Sequence, residues 1–83
     1  MYYVYILQSE KDNSFYVGST RDIEARLERH NQGRSKYTKG KRPWKLFYSE
    51  EYPDRSSAVK RENEIKSHKR KTYVEQLVSA SRM

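Results

Sequence analysis

Seven consecutive residues near the start of the chain, Tyr2 to Gln8, decide most of what it can fold into. The run is aromatic and β-branched, which predicts a strand. Alternation puts Tyr3, Tyr5 and Leu7 on one face and Val4 and Ile6 on the other. A strand that is apolar on both faces needs cover on both and belongs in the middle of a sheet. Glu10-Lys11-Asp12-Asn13-Ser14 supplies a turn, and Phe15 to Gly18 a second strand, so the two make a hairpin.

The turn decides which side chains meet. A two-residue loop at Asp12-Asn13 would set Lys11 opposite Ser14. Tyr3, Tyr5, Leu7, Tyr16 and Gly18 would then share one face. A loop one residue longer or shorter would carry Tyr16 to the other side.

After the hairpin the period changes. Thr20 or Asp22 can cap a helix that runs to about Asn31 and ends at Gln32-Gly33. Ile23 and Leu27 form its apolar stripe, and Arg26 and His30, four apart, border that stripe. Residues 33–43 form a basic loop broken by Gly33, Gly40 and Pro43. Trp44 to Ser49 predicts a third strand. Pro53-Asp54-Arg55-Ser56 starts a helix to about Ser67, with Ala58, Val59 and Ile65 inward. A last helix, Thr72 to about Ser79, turns Tyr73, Val74, Leu77 and Val78 inward. The expected order is ββαβαα: an α+β fold with a three-stranded antiparallel sheet flanked by helices.

The chain has 83 residues, enough for one domain spanning 1–83, and no cysteine. Disulfides and thiolate zinc sites are therefore excluded. No apolar run is long enough for a transmembrane helix, and the start lacks the layout of a signal peptide. The expected location is the cytoplasm. The net charge is +7, and seven basic residues lie between Arg29 and Lys45 with no acidic one among them. A second cluster holds Lys60, Arg61, Lys66, Lys69, Arg70 and Lys71. Such a field attracts polyanions, a nucleic acid first, and no membrane is required. A solubilising surface is the plainer alternative, and an anionic membrane or another acidic partner the third.

The chemistry-bearing residues are spaced regularly in the first third. Ten residues separate Tyr5 from Tyr16, Arg26 follows Gly18 by eight positions, and His30 follows Arg26 by four. Phenols, a guanidinium and an imidazole are side chains suited to handling a phosphate.

These residues resemble a known family. Tyr3-Val4-Tyr5 and Tyr16-Val17-Gly18 look like the two halves of the GIY-YIG nuclease motif, and the spacings to Arg26 and His30 match as well. The chain is most similar to the small, single-domain YhbQ-like group. That group carries a similar end to its first helix, here His30-Asn31-Gln32-Gly33. It also has a K-Y-T-x-G-x-R-P loop, here Lys36-Tyr37-Thr38-Lys39-Gly40-Lys41-Arg42-Pro43.

The resemblance implies a metal-dependent endonuclease that hydrolyses DNA phosphodiester bonds with Mg²⁺ or Mn²⁺, in DNA repair or recombination. Tyr5 would activate the attacking water; a phenol, with a pKa of about 10, needs help to do so. Tyr16 would donate to a phosphate oxygen or orient the water. Arg26 would hold the scissile phosphate. His30 would carry a proton or donate to phosphate, unless it only caps the helix dipole. Glu62 matches the metal-binding glutamate, with Glu64 as the competitor; a hard oxygen ligand suits Mg²⁺.

Gly18 would let the nucleic-acid backbone approach, unless it is only a strand-end glycine. Arg34, Lys36, Lys39, Lys41 and Arg42 would track phosphates. Tyr37 and Trp44 could stack on unpaired bases, although Trp44 also suits a core. The resemblance implies a nucleic-acid partner, DNA before RNA, and leaves room for a larger protein partner.

Three departures bear on this. Tyr3 replaces a glycine common in the first motif half. Ser19 stands where many repair subunits have lysine. The stretch Val74 to Leu77 lacks the asparagine of many members. A noncatalytic nucleic-acid-binding module that keeps the fold, or a small subunit that docks on a larger protein through its basic face, are the alternatives.

Overall fold

The computed structural model describes residues 1–34, 36, 38–68 and 76. Three strands and two helices follow one another: β1 (Tyr2–Ser9), β2 (Phe15–Thr20), α1 (Ile23–Asn31), β3 (Trp44–Tyr52) and α2 (Arg55–His68). The order is ββαβα within one antiparallel sheet, β2-β1-β3, so the apolar first strand is central as its two faces demand. The third helix expected over Thr72 to Ser79 lies outside the described residues, apart from Gln76, which is helical.

The two faces of β1 feed two cores. Val4 and Ile6 pack with Ala58 and Ile65 of α2. Tyr5 and Leu7 pack with Trp44, Tyr16 and the Ile23 and Leu27 stripe of α1. Because successive strand residues point to opposite sides, the helices cover opposite faces of the sheet. On β3 a bulge shifts the register between Ile6, opposite Tyr48, and Leu7, opposite Leu46. The extra residue lets both Phe47 and Tyr48 reach the α2 core, and Phe47 meets Phe15 of β2 with ring centroids 4.9 Å apart.

The hairpin register differs from the expected one. Gln8 lies opposite Phe15, and the Ser9 amide donates to the Ser14 carbonyl at 2.8 Å, so Lys11 does not pair with Ser14. The loop is four residues, Glu10 to Asn13. Ser9 causes this: its buried hydroxyl accepts from the Lys11 and Asp12 amides and donates to the Lys41 carbonyl at 2.6 Å. The Asp12 carboxylate accepts from the Ser14 hydroxyl and amide, which holds its pKa down to about 2. Asn13 closes the loop at φ 63°, in the left-handed region where asparagine is tolerated. The register moves by an even step, so the faces do not exchange. Tyr16 and Gly18 still stand beside Tyr5 and Leu7.

All three strands are longer than expected: β1 continues to Ser9, β2 to Thr20 and β3 to Tyr52. The extension of β3 carries Glu50, whose carboxylate would be costly on a half-buried face without partners. It has them. Arg61 of α2 donates to both oxygens at 2.9 and 3.1 Å, and the Tyr48 and Tyr52 hydroxyls donate at 2.5 and 2.6 Å. Burial alone would raise the Glu50 pKa, but Arg61 and the two phenols outweigh it and the net shift is downward. The Tyr48 and Tyr52 pKa values rise, by burial first and then by their bonds to Glu50, that of Tyr52 to about 12. Arg61 also pairs with Glu64, so α2 is pinned to β3 by charge as well as by apolar packing.

Candidate active site

The α1 face of the sheet gathers the spaced constellation. Asp22 caps the helix, its side chain accepting from the Ala25 amide at 3.1 Å. With the start of the helix set there, Ile23 and Leu27 face the sheet and His30 follows them into the core. His30 is only 3% exposed. Its ring centroid lies 4.8 Å from that of Tyr16, and the Tyr5 and Tyr16 rings lie 6.3 Å apart. The Tyr5 hydroxyl is 3.2 Å from His30 Nε2.

Tyr5 lies flat across Gly18, its partner on β2. A Cβ at Gly18 would stand 2.5 Å from the Tyr5 hydroxyl and 2.7 Å from Cζ. The glycine is therefore the space that the phenol fills, a role distinct from the two weighed in the sequence.

Burial pushes the Tyr5 phenol well above its usual pKa. Tyr16 adds to the rise and Arg26 opposes it without reversing it. Tyr5 is thus a neutral phenol around neutral pH and needs an acceptor for its proton. His30 is suited to that: burial first, then the charges of Arg26 and Arg29, lower its pKa and keep it neutral.

Beside Tyr16 and His30 opens a pocket of about 260 Å³ lined by Tyr16, Arg26, Arg29, His30 and Arg34, with Tyr5 buried next to the lining residue His30. Among the described residues three guanidiniums and no carboxylate line it, which makes it a site for an anion. Arg29 was counted in the sequence only as part of the basic run. Its position three residues after Arg26 is the signal that would have found it.

Glu62 reaches the site from the other side. The Ser19 hydroxyl donates to its Oε1 at 2.6 Å, and Lys66 donates to Oε2 at 2.6 Å. Its charge is close enough to contribute to the rise at Tyr5. Ser19, which departs from the lysine of many repair subunits, is thus the residue that holds this carboxylate. Glu64 points instead to Arg61.

The basic loop divides between surface and scaffold. Lys36 and Lys39 are exposed, and Lys41 is 3.7 Å from Asp12. Arg42 donates to the carbonyls of Lys39 and Asn31 and covers Gly33. Tyr37 lies outside the described residues. Trp44 is buried and not available for stacking on a base. Its indole N–H donates to the Thr38 carbonyl at 2.9 Å, and its backbone is bound on both sides by the Asn31 side chain. No helix among the described residues is long and apolar enough to cross a membrane.

Comparison with known proteins agrees with this geometry. The model of the GIY-YIG catalytic domain matches residues 1–74. A UPF0213 protein of Staphylococcus aureus is 47% identical over 70 residues, covering 83% of this chain and 84% of that protein. One from Staphylococcus haemolyticus is 49% identical over the same length. The solution NMR structure of the UPF0213 protein BH0048 from Bacillus halodurans superposes with a TM-score of 0.59 at 39% identity, over 96% of this chain and 85% of that one. A domain match over most of the chain, a site assembled from both motif halves, and relatives at this identity lead to one conclusion: the chain belongs to the GIY-YIG family.

Proposed function

We propose that this protein is a metal-dependent endonuclease that hydrolyses DNA phosphodiester bonds in the cytoplasm, with DNA repair or recombination as its setting. The observation that supports it best is the arginine-lined pocket walled by Tyr16 and His30, the latter in contact with the buried Tyr5 hydroxyl. A phosphate seated there meets Arg26, Arg29 and Arg34 together with Tyr16 and His30.

In this reading Arg26 binds the scissile phosphate and offsets the charge that grows on its oxygens as water attacks phosphorus. The Tyr5 oxygen takes a proton from that water while its own proton passes to His30 Nε2. A new P–O bond forms to the water oxygen as the bond to the leaving oxygen breaks. Tyr16 donates to a phosphate oxygen and keeps the water in line. Arg34, Lys36, Lys39 and Lys41 extend the basic track for flanking phosphates.

Glu62 is the residue that would hold Mg²⁺ or Mn²⁺. Among the described residues no three His, Cys, Asp or Glu side chains cluster as a cage. A single partly exposed carboxylate still fits a hard cation that keeps most of its waters and takes its remaining oxygens from substrate. When bound, such a cation polarises the phosphate and stabilises the leaving oxygen. The Lys66 ammonium paired with Glu62 is about half exposed and can swing away from it.

The test is incubation with branched, nicked, single-stranded and duplex DNA, and with RNA, in Mg²⁺ or Mn²⁺, beside Arg26→Ala and Glu62→Ala. Cleavage by the parent, lost in both variants while binding is kept, supports the proposal. Binding without cleavage would favour the noncatalytic module, and equal traces of cleavage in all three would point to a contaminant.

A further inference from the structure

Within the loop Lys36 to Pro43, Thr38 does not behave as part of a basic surface. Thr38 is completely buried. It occupies the N-cap position of the short 3-10 turn Lys39–Lys41, where a threonine hydroxyl ordinarily bonds to the turn's own amides, yet it makes no such bond. Its hydroxyl instead lies 2.8 Å from His30 Nδ1. The backbone around it is held by the Trp44 indole, which donates to the Thr38 carbonyl at 2.9 Å. Thr38 and Tyr5 thus occupy the two nitrogens of one buried imidazole.

We propose that Thr38 is a positioning residue that accepts from His30 Nδ1–H, fixing the tautomer in which Nε2 is free to accept from Tyr5. The choice of tautomer is made at the phenol. The Arg26 charge lies near enough to Tyr5 to oppose the rise of its pKa, and a guanidinium offers the phenol oxygen donors only. The single phenol proton therefore has to point away from Arg26, and Nε2 is the acceptor within reach. With Nε2 accepting, a neutral imidazole carries its proton on Nδ1, and the Thr38 oxygen receives it. The opposite tautomer would aim two donors, His30 and Arg26, at one phenol oxygen and leave the hydroxyl proton without Nε2. Thr38 thereby serves the reaction without touching substrate. The loop motif that resembles the YhbQ-like group has an inward task beside its outward charge. The catalytic meaning of this arrangement rests on the nuclease reading; the tautomer does not.

The experiment is ¹⁵N NMR of the His30 ring at neutral pH in the parent protein, Thr38→Val and Thr38→Ser. The parent should show a pyrrole-type Nδ1 and a pyridine-type Nε2. Thr38→Val keeps the shape, removes the acceptor and should give averaged shifts of mixed tautomers. Thr38→Ser should restore the parent pattern. A parent protein with the proton on Nε2, or a Thr38→Val ring unchanged in its shifts, would overturn the proposal. The parent spectrum decides the tautomer even if a variant fails to fold.

If the protein cleaves DNA, Thr38→Val should lower kcat by about 10- to 100-fold with KM unchanged, the usual effect of removing the group that orients a site histidine. Thr38→Ser should recover most of that loss. A kcat equal to the parent's would remove the catalytic part. A protein that shows the expected tautomer and no cleavage would retain the Thr38 contact and lose the nuclease reading instead.

Discussion

Gly18 and Tyr5 face each other across the central strand pair with no room for a methyl group: a Cβ on Gly18 would lie 2.5 Å from the Tyr5 hydroxyl. The ring is buried and cannot swing out, so Gly18→Ala must displace the phenol or the strand. The expected cost is about 1–3 kcal/mol of stability, as for other overpacked sites. A misplaced phenol should also lower cleavage by about 100-fold. Urea unfolding and single-turnover cleavage of the same variant measure the two effects. Unchanged values for both would mean that the phenol does not occupy this space.

His30 makes stability depend on pH near neutrality. Its folded pKa is depressed, so the unfolded chain binds the proton first as pH falls. The contribution is complete above the unfolded value of about 6.5 and is lost as pH drops through it toward the lower folded value. The groups facing His30 are Tyr5 from β1, Tyr16 from β2, Arg26 and Arg29 from α1, and Arg34 and Thr38 from the loop. The Glu50 carboxyl, held below its usual range, loses its contribution only at more acid pH. Urea midpoints between pH 8 and pH 5 should fall for the parent protein and flatten for His30→Gln.

Much of this arrangement was legible from residue order, and the reasons differ by residue. Tyr2 to Gln8 is apolar on both faces, and only a central strand satisfies that. Tyr5 and Tyr16 met because the true loop differs from the simplest one by an even step. The register itself was hidden because Ser9 looks like a loop residue and acts as the loop's anchor. Arg26 and Glu62 came from motif spacing. Thr38 and Arg29 were missed for opposite reasons. Thr38 is an inward polar residue inside a run of lysines, and Arg29 is one arginine among many. A buried hydrogen bond between residues far apart in the chain leaves no periodic trace.

The pin between the helix and the sheet can be measured. Glu50→Gln removes the charge that Arg61 clasps while leaving the phenols a partner. A lost charge-assisted hydrogen-bonded pair at a part-buried site predicts a loss of about 2 kcal/mol. Chemical denaturation should show it, and a change under 0.5 kcal/mol would mean that apolar packing alone docks α2.

Salt should reveal which arginines meet phosphate. Each of Arg29→Ala and Arg34→Ala should weaken DNA binding and reduce the slope of log affinity against log salt by about 1. Fluorescence anisotropy over a salt series reads this directly. A slope equal to the parent's for both variants would move the phosphate out of the pocket.

The central claim is that the Tyr5 oxygen, in line with His30, takes the proton of the attacking water. Tyr5→Phe removes that single oxygen and leaves the ring that fills the space beside Gly18. The measurement is single-turnover DNA cleavage in Mg²⁺ by Tyr5→Phe, beside its DNA affinity. The account predicts affinity within about twofold of the parent's and cleavage lower by about 100-fold or more. Cleavage at the parent's rate would contradict it.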